Sequence, residues 1–245
     1  MSAQSASETE RPAGNRAGLA GMISAVLFTV AGAAGFVLET TARTDGYDDG
    51  DNPAQSVAMF AVNPNSYSLS GLALATAAIA LLMLVLAVSE SVLTSVRPLY
   101  ARFVTGLGLI AAAMLFLGGV IRLQAPGTVT HIASLDRDWG LAAYLAVQMS
   151  GTQGALSAAI FAFGLWTVAL CATAAKPRAL PLPVLILGLL PALTLALPLA
   201  ALIGRVIGQD TSDALYPLYL LAIFGGIPLF ALALGAALWR SRPHR

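Results

Sequence analysis

Six stretches of this chain are apolar for about twenty residues each, and every charge falls between or beyond them. They are Ala17–Leu38, Tyr67–Val88, Phe103–Ile121, Thr152–Thr173, Leu182–Ile203 and Pro217–Trp239. About 20 apolar residues cross the ~30 Å hydrocarbon core of a bilayer as a helix. Backbone groups in lipid must bond within their own segment, so the pattern predicts helices rather than open strands. The expected fold is all-α: a polytopic membrane protein, one six-helix transmembrane bundle over residues 17–239. The first stretch exceeds the roughly 7–15 apolar residues of a signal-peptide core, so it is expected to remain as a span.

The polar intervals add detail. Residues 1–16 predict a disordered cytoplasmic tail, and residues 240–245 a short basic cytoplasmic tail. Pro53–Val62 predicts a short interfacial helix, stopped by Asn63-Pro64. Asp138–Ser150 also reads as helical. Joined to the fourth span it would be a helix of over ~50 Å at about 1.5 Å per residue, so a break near Gly151 or Gly154, or an outward projection, is expected. Pro191, Pro198 and Pro228 predict packing kinks in the last two spans.

Composition agrees with the pattern. Hydrophobic residues make up 58% of the 245 positions and charged residues 10%, against about 25% charged in soluble domains. A soluble globule and a disordered chain are both excluded. The net charge of +1 points to no nucleic-acid partner. Basic residues gather at one end of the predicted bundle: Arg11, Arg16, Arg97, Arg102, Lys176, Arg178, Arg240, Arg242 and Arg245. The other end has Arg43, Arg122, Arg137 and Arg205, with most of the acidic residues, Glu39 among them. The positive-inside rule then places both termini in the cytoplasm of a bacterial cell (inner) membrane. Tyr47, Tyr67, Tyr144, Tyr216, Tyr219 and Trp139 suggest an aromatic belt at the outer interface.

Small residues decide how helices approach in lipid. Gly151, Ala155 and Ala159, with Gly154, Ala158 and Ala162 beside them, give the fourth span a smooth face. That predicts either a central position in the bundle or a contact with a protein partner or a second copy. Membrane lipids are the other expected partners.

The spans as bounded hold no Asp, Glu, Lys or His. A bis-histidine haem, a retinal Schiff base and a carboxylate proton relay are thereby excluded from them, and no HExxH pair is present. No cofactor and no metal site is expected. Asp45, Asp48, Asp49 and Asp51 superficially resemble a calcium loop, but Tyr47 and Ser56 stand where ligands belong, so a solvated acidic loop is the reading. The lone Cys171 reads as a small packing residue.

The candidate binding residues are Arg122, Arg205, Gln148 and Gln153. The two arginines stand just past the ends of the third and fifth spans. They either snorkel to the headgroups, pair with Asp136, Asp138, Asp210 or Asp213, or form an anion site together. Gln148 and Gln153 either line a shallow outer-leaflet pocket for a lipid, quinone or peptide, or bond freed backbone near Gly151; the second is favoured.

The run Ala61-Val62-Asn63-Pro64-Asn65-Ser66-Tyr67-Ser68-Leu69, then Tyr144-Leu145 and Phe163-Gly164-Leu165-Trp166, resembles a family of small bacterial six-helix membrane proteins of unknown function. The resemblance implies the fold and brings no catalytic residues. The functional expectation is a non-enzymatic structural or accessory subunit of a membrane complex. The alternative is a carrier or binder of a neutral or lipid-like molecule through an outer-leaflet pocket.

Overall fold

A computed structural model describes residues 13–44, 53–62, 64–175, 179–206 and 212–240. The tail at 1–12, the acidic cluster Asp45, Asp48, Asp49 and Asp51, and residues 241–245 lie outside them. Residues 13–16, assigned above to the tail, form the first turn of a helix. Among the described residues every regular element is helical.

The helices are α1 (Ala13–Thr44), α2 (Pro53–Val62), α3 (Pro64–Ser91), α4 (Pro98–Leu135), α5 (Arg137–Val147), α6 (Leu156–Ala175), α7 (Leu182–Leu187), α8 (Leu189–Val206), α9 (Ser212–Leu221) and α10 (Ile227–Arg240). A π-helical stretch, Gln148–Ala155, joins α5 to α6 without a break, and another, Ala222–Gly226, joins α9 to α10. Six helical spans are long and apolar enough to cross a membrane, matching the six predicted. The first π stretch stands where a break near Gly151 or Gly154 was expected, and the helix continues through it; the second directly precedes Ile227-Pro228, where a kink was expected. In the second, the Ile227 N–H reaches back five residues to the Ala222 carbonyl.

Five of the six spans run past the bounds set by charge. The first takes in Glu39, the second Glu90, the third Arg102 and Arg122, the fourth Arg137 and Asp138, and the last Arg240. The expectation of uncharged spans is corrected on this point. Of these charges, Glu39 and Arg122 are paired with each other, as described below.

The bundle is held by close backbone approaches. α1 lies against α3 and α10, α3 against α4, α4 against α6, and α6 against α8. α3 is the most enclosed span, a place the sequence assigned to the fourth. At the α3–α4 crossing, a Cβ on Gly119 would stand 2.6 Å from the Ala75 nitrogen and 2.8 Å from the Gly71 carbonyl oxygen. Only glycine permits that contact. On α6 the small-residue face divides. Gly151, Ala155, Ala159 and Ala162 are buried, with Gly151 against Ile121 of α4, while Gly154 and Ala158 are exposed.

The α4 helix has 38 residues, close to 57 Å at ~1.5 Å each, and so outreaches the hydrocarbon core. Its last turns, α2 and α5 form a cap over one end of the bundle. Asp136 caps α5, its carboxylate accepting from the Asp138 and Trp139 amides. Phe60, Tyr67, Ala125, Val129 and Tyr144 make the core of this cap. Tyr67 and Tyr144 therefore fill the cap rather than join an interfacial belt. A sheet of short helices laid over helix ends needs large side chains in the gap. Trp139 is exposed, as a belt residue would be.

Candidate functional site

The α4 face that points inward reads Gly108, Ala111, Ala112, Gly118, Gly119, Arg122, Ala125 and Val129. Three- and four-residue steps put these on one side of the helix. Arg122 thus stands on the buried stripe and is 2% exposed. It does not snorkel. Snorkelling needs an open path to the surface, and Gly71 of α3 lies against its backbone.

Arg122 is answered by Glu39. Phe28, Gly32, Gly35 and Glu39 recur on one face of α1 at the same spacing and border a common cavity. The guanidinium donates through Nη1 to one Glu39 carboxylate oxygen at 2.5 Å and through Nη2 to the other at 3.0 Å. A bidentate pair of this kind is the strongest arrangement available to the two groups. The Tyr67 ring lies 5.3 Å from the guanidinium carbon, a cation–π contact. Tyr67 packs on Phe60 at 4.9 Å between centroids, and Phe60 on Tyr144 at 5.6 Å. The cap thereby backs the ion pair with an aromatic wall.

Local backbone geometry supports the arginine. Pro126 has no N–H to give the Arg122 carbonyl. One residue on, the Ser68 hydroxyl of α3 donates to the Leu123 carbonyl at 3.1 Å. The tight α3–α4 crossing lies a turn below.

From the ion pair an apolar cavity of about 560 Å³ extends into the bundle, within the volume range of small-molecule sites. α1, α3, α4, α6 and the last span all contribute to its wall. Its floor is aromatic: Phe28 and Phe163 stack at 6.0 Å, and Phe163 meets Trp166 and Phe230 edge-on. From Phe28 to Glu39 is eleven residues of α1, or about 16 Å at ~1.5 Å each. That is roughly half the ~30 Å hydrocarbon thickness, the depth of one leaflet. A Cβ on Gly32 would touch nothing within 4 Å, so this residue opens the cavity on the α1 side.

At the rim, Phe36 of α1 and Phe224 of the last span touch, centroids 4.2 Å apart, both exposed. Phe224 belongs to the π stretch Ala222–Gly226, and the other π stretch ends directly before the lining residue Leu156. π-Helical turns inside α-helices are frequent at functional sites.

Of the three sequence candidates whose side chains are described, Arg122 alone lines this cavity. Gln148 is half-buried and Gln153 exposed in the π stretch before α6, and neither lines it. In the same stretch the Ser150 hydroxyl donates to the Ala146 carbonyl at 2.6 Å. Arg205 belongs to α8, and its side chain lies outside the described residues, as do the side chains of Asp210 and Asp213. A second, more open cavity of about 380 Å³ lies between α8 and α9, beside Tyr216 and Tyr219. Glu39, Gly32 and the aromatic floor escaped the sequence reading. The signal for Glu39 was its spacing from Gly35 and Gly32; the signal for Arg122 was the stripe of small residues on both sides of it. Among the described residues no group of three or more His, Cys, Asp or Glu side chains is placed to hold a metal ion. No protein-family model, curated protein or solved structure matches the chain.

Proposed function

We propose that this membrane protein is a non-enzymatic binder of a lipid-like amphiphile. The apolar part lies in the cavity and the polar head meets Glu39 and Arg122. The carrying observation is the cavity itself: leaflet-deep, apolar, and ended by an ion pair of a buried Arg122 with a half-buried Glu39. A pocket largely lined by apolar side chains, with few polar groups at one point, is the usual form of a small-molecule site. The distribution of basic residues supports an orientation with the ion pair in the outer leaflet of a bacterial inner membrane and both termini inside.

The test is extraction of small molecules from protein purified in mild detergent, with mass spectrometry, for wild type and Gly32→Phe. The expected result is one lipid-like species retained by wild type and lost from the variant. Equal retention by both, or none by wild type, overturns the proposal.

A second reading, the accessory subunit, has its own observation. Gly154 and Ala158 leave a small-residue patch exposed on the bundle surface, where another helix can approach closely. It requires a stoichiometric partner that co-purifies with wild type and is lost on Ala158→Leu.

A further inference from the structure

Resting on the binding reading above, we infer that the ligand is drawn from the bilayer itself: it is a lipid of the surrounding leaflet, and it enters the cavity sideways through a mouth between α1 and the last span. Exposure locates the mouth. The lining residues supplied by α3, α4 and α6 are buried or half-buried, and those that reach the surface are Ala33, Phe36 and Val37 of α1 and Phe224 of the last span. All four are apolar. From Phe36 to Thr41, where its span ends, is five residues, or about 8 Å at ~1.5 Å each. From Ala214, where the last span begins, to Phe224 is ten, or about 15 Å. The mouth therefore opens below the ends of both spans, onto hydrocarbon rather than water.

The other sides are closed. The buried rings of Phe60, Tyr67 and Tyr144 fill the cap at the polar end. α3 and α4 meet backbone to backbone at Gly71 and Gly119. At the far end of α1, a Cβ on Gly18 would stand 2.6 Å from the Leu238 carbonyl oxygen, and one on Gly235 would stand 2.6 Å from the Ala25 Cβ. Higher on α1, Gly32 meets nothing within 4 Å, and the Phe36 and Phe224 rings bridge the two helices. Phe224 is the side that yields. It lies in the π turn Ala222–Gly226, and Pro228 has no N–H for its carbonyl, so a bond that would hold this turn in α-helical register is missing. Phe36 stands in unbroken α-helix.

The test follows Trp166, which is fully buried and meets the lining residue Phe163 edge-on at 5.3 Å. In the full-length protein carrying Trp139→Phe and Trp239→Phe it is the one remaining tryptophan. This protein, in phosphatidylcholine vesicles, is mixed by stopped flow with dibrominated monoolein, which partitions into the bilayer and whose bromines quench tryptophan at short range. Quenching is expected, and Gly32→Phe should abolish it. In a Cys171→Ser background, Phe36→Cys and Phe224→Cys are joined by a short bis-methanethiosulfonate and released by reductant. Joining them should slow the onset of quenching at least tenfold. Equal rates in the joined and released states overturn the inference and, where Gly32→Phe still abolishes quenching, leave the binding reading intact. Iodide, which stays in water, should not quench Trp166; quenching by it marks an aqueous route and overturns the inference. No quenching by the lipid probe, or quenching that survives Gly32→Phe, removes both the inference and the binding reading. Where the cysteine pair does not fold, Ala33→Phe fills the same mouth from the exposed face of α1 and should slow quenching at least threefold; an unchanged rate overturns the inference.

Discussion

Glu39 and Arg122 are 83 residues apart in the chain and joined by two hydrogen bonds in the fold. They come from different helices, α1 and α4, and meet beside α3, which both helices pack against. Their pairing ties the cavity to the cap, because the same guanidinium lies under Tyr67.

Removing one partner takes a bidentate contact from the other. Glu39→Ala or Arg122→Ala is expected to destabilise the protein by at most about 3–5 kcal/mol, the range for breaking a fully buried pair. The double variant Glu39→Leu/Arg122→Met removes both charges of the pair and should unfold near the wild-type temperature while losing ligand retention. Thermal unfolding in one detergent checks this. A double variant as unstable as the singles would show that the pair is not the cause.

The α3–α4 crossing depends on two glycines. Gly119→Ala places a Cβ against the α3 backbone, and its neighbours there are main-chain atoms that cannot rotate aside. A loss of a few kcal/mol is expected, in the range of overpacked sites. Gly106→Ala on the same helix meets nothing within 4 Å and should be neutral or stabilising, by up to about 1 kcal/mol from helix propensity. Paired melting curves decide; equal effects would contradict the close approach.

Phe36 and Phe224 bridge the rim of the cavity. Phe36→Ala should widen the opening without touching the ion pair, and so speed ligand exchange more than it changes stability. Dissociation of a labelled lipid-like probe, followed by stopped flow, is expected to accelerate several-fold. An unchanged rate would place the entry path elsewhere.

Orientation is open to direct labelling. Leu135 and Leu99 are both exposed, at opposite ends of α4. In a Cys171→Ser background, Leu135→Cys should react with a membrane-impermeant maleimide added to intact cells, and Leu99→Cys only after lysis. The reverse pattern would invert the proposed topology.

Much of the architecture was legible from hydropathy. The positions of all six spans, the helix at Pro53–Val62, its stop at Asn63-Pro64, and the irregular turns at Gly151 and Gly225-Gly226 follow from local rules of length, proline and glycine. The site was less legible. Hydropathy treats a charge as the end of a span, so Glu39 and Arg122 were placed in loops. Both helices continue past these charges, and the pairing of the two is a relation between distant segments that no local window contains. Gln148 and Gln153 drew notice for the opposite reason: polarity in an apolar run is locally conspicuous whether or not it faces a cavity.

What the sequence determined by itself is the class of molecule and the order of its helices, because apolar length and backbone hydrogen bonding in lipid leave little choice. What only the tertiary structure decided is which faces meet. Gly71 against Gly119 brings α3 onto α4, and Gly32, Gly35 and Glu39 of α1 then face one space with Ala111, Leu115 and Arg122 of α4. Gly32 leaves open space on the α1 side of that cavity, and its polar end is set by the pairing of Glu39 with Arg122, which only the approach of two distant helices brings about.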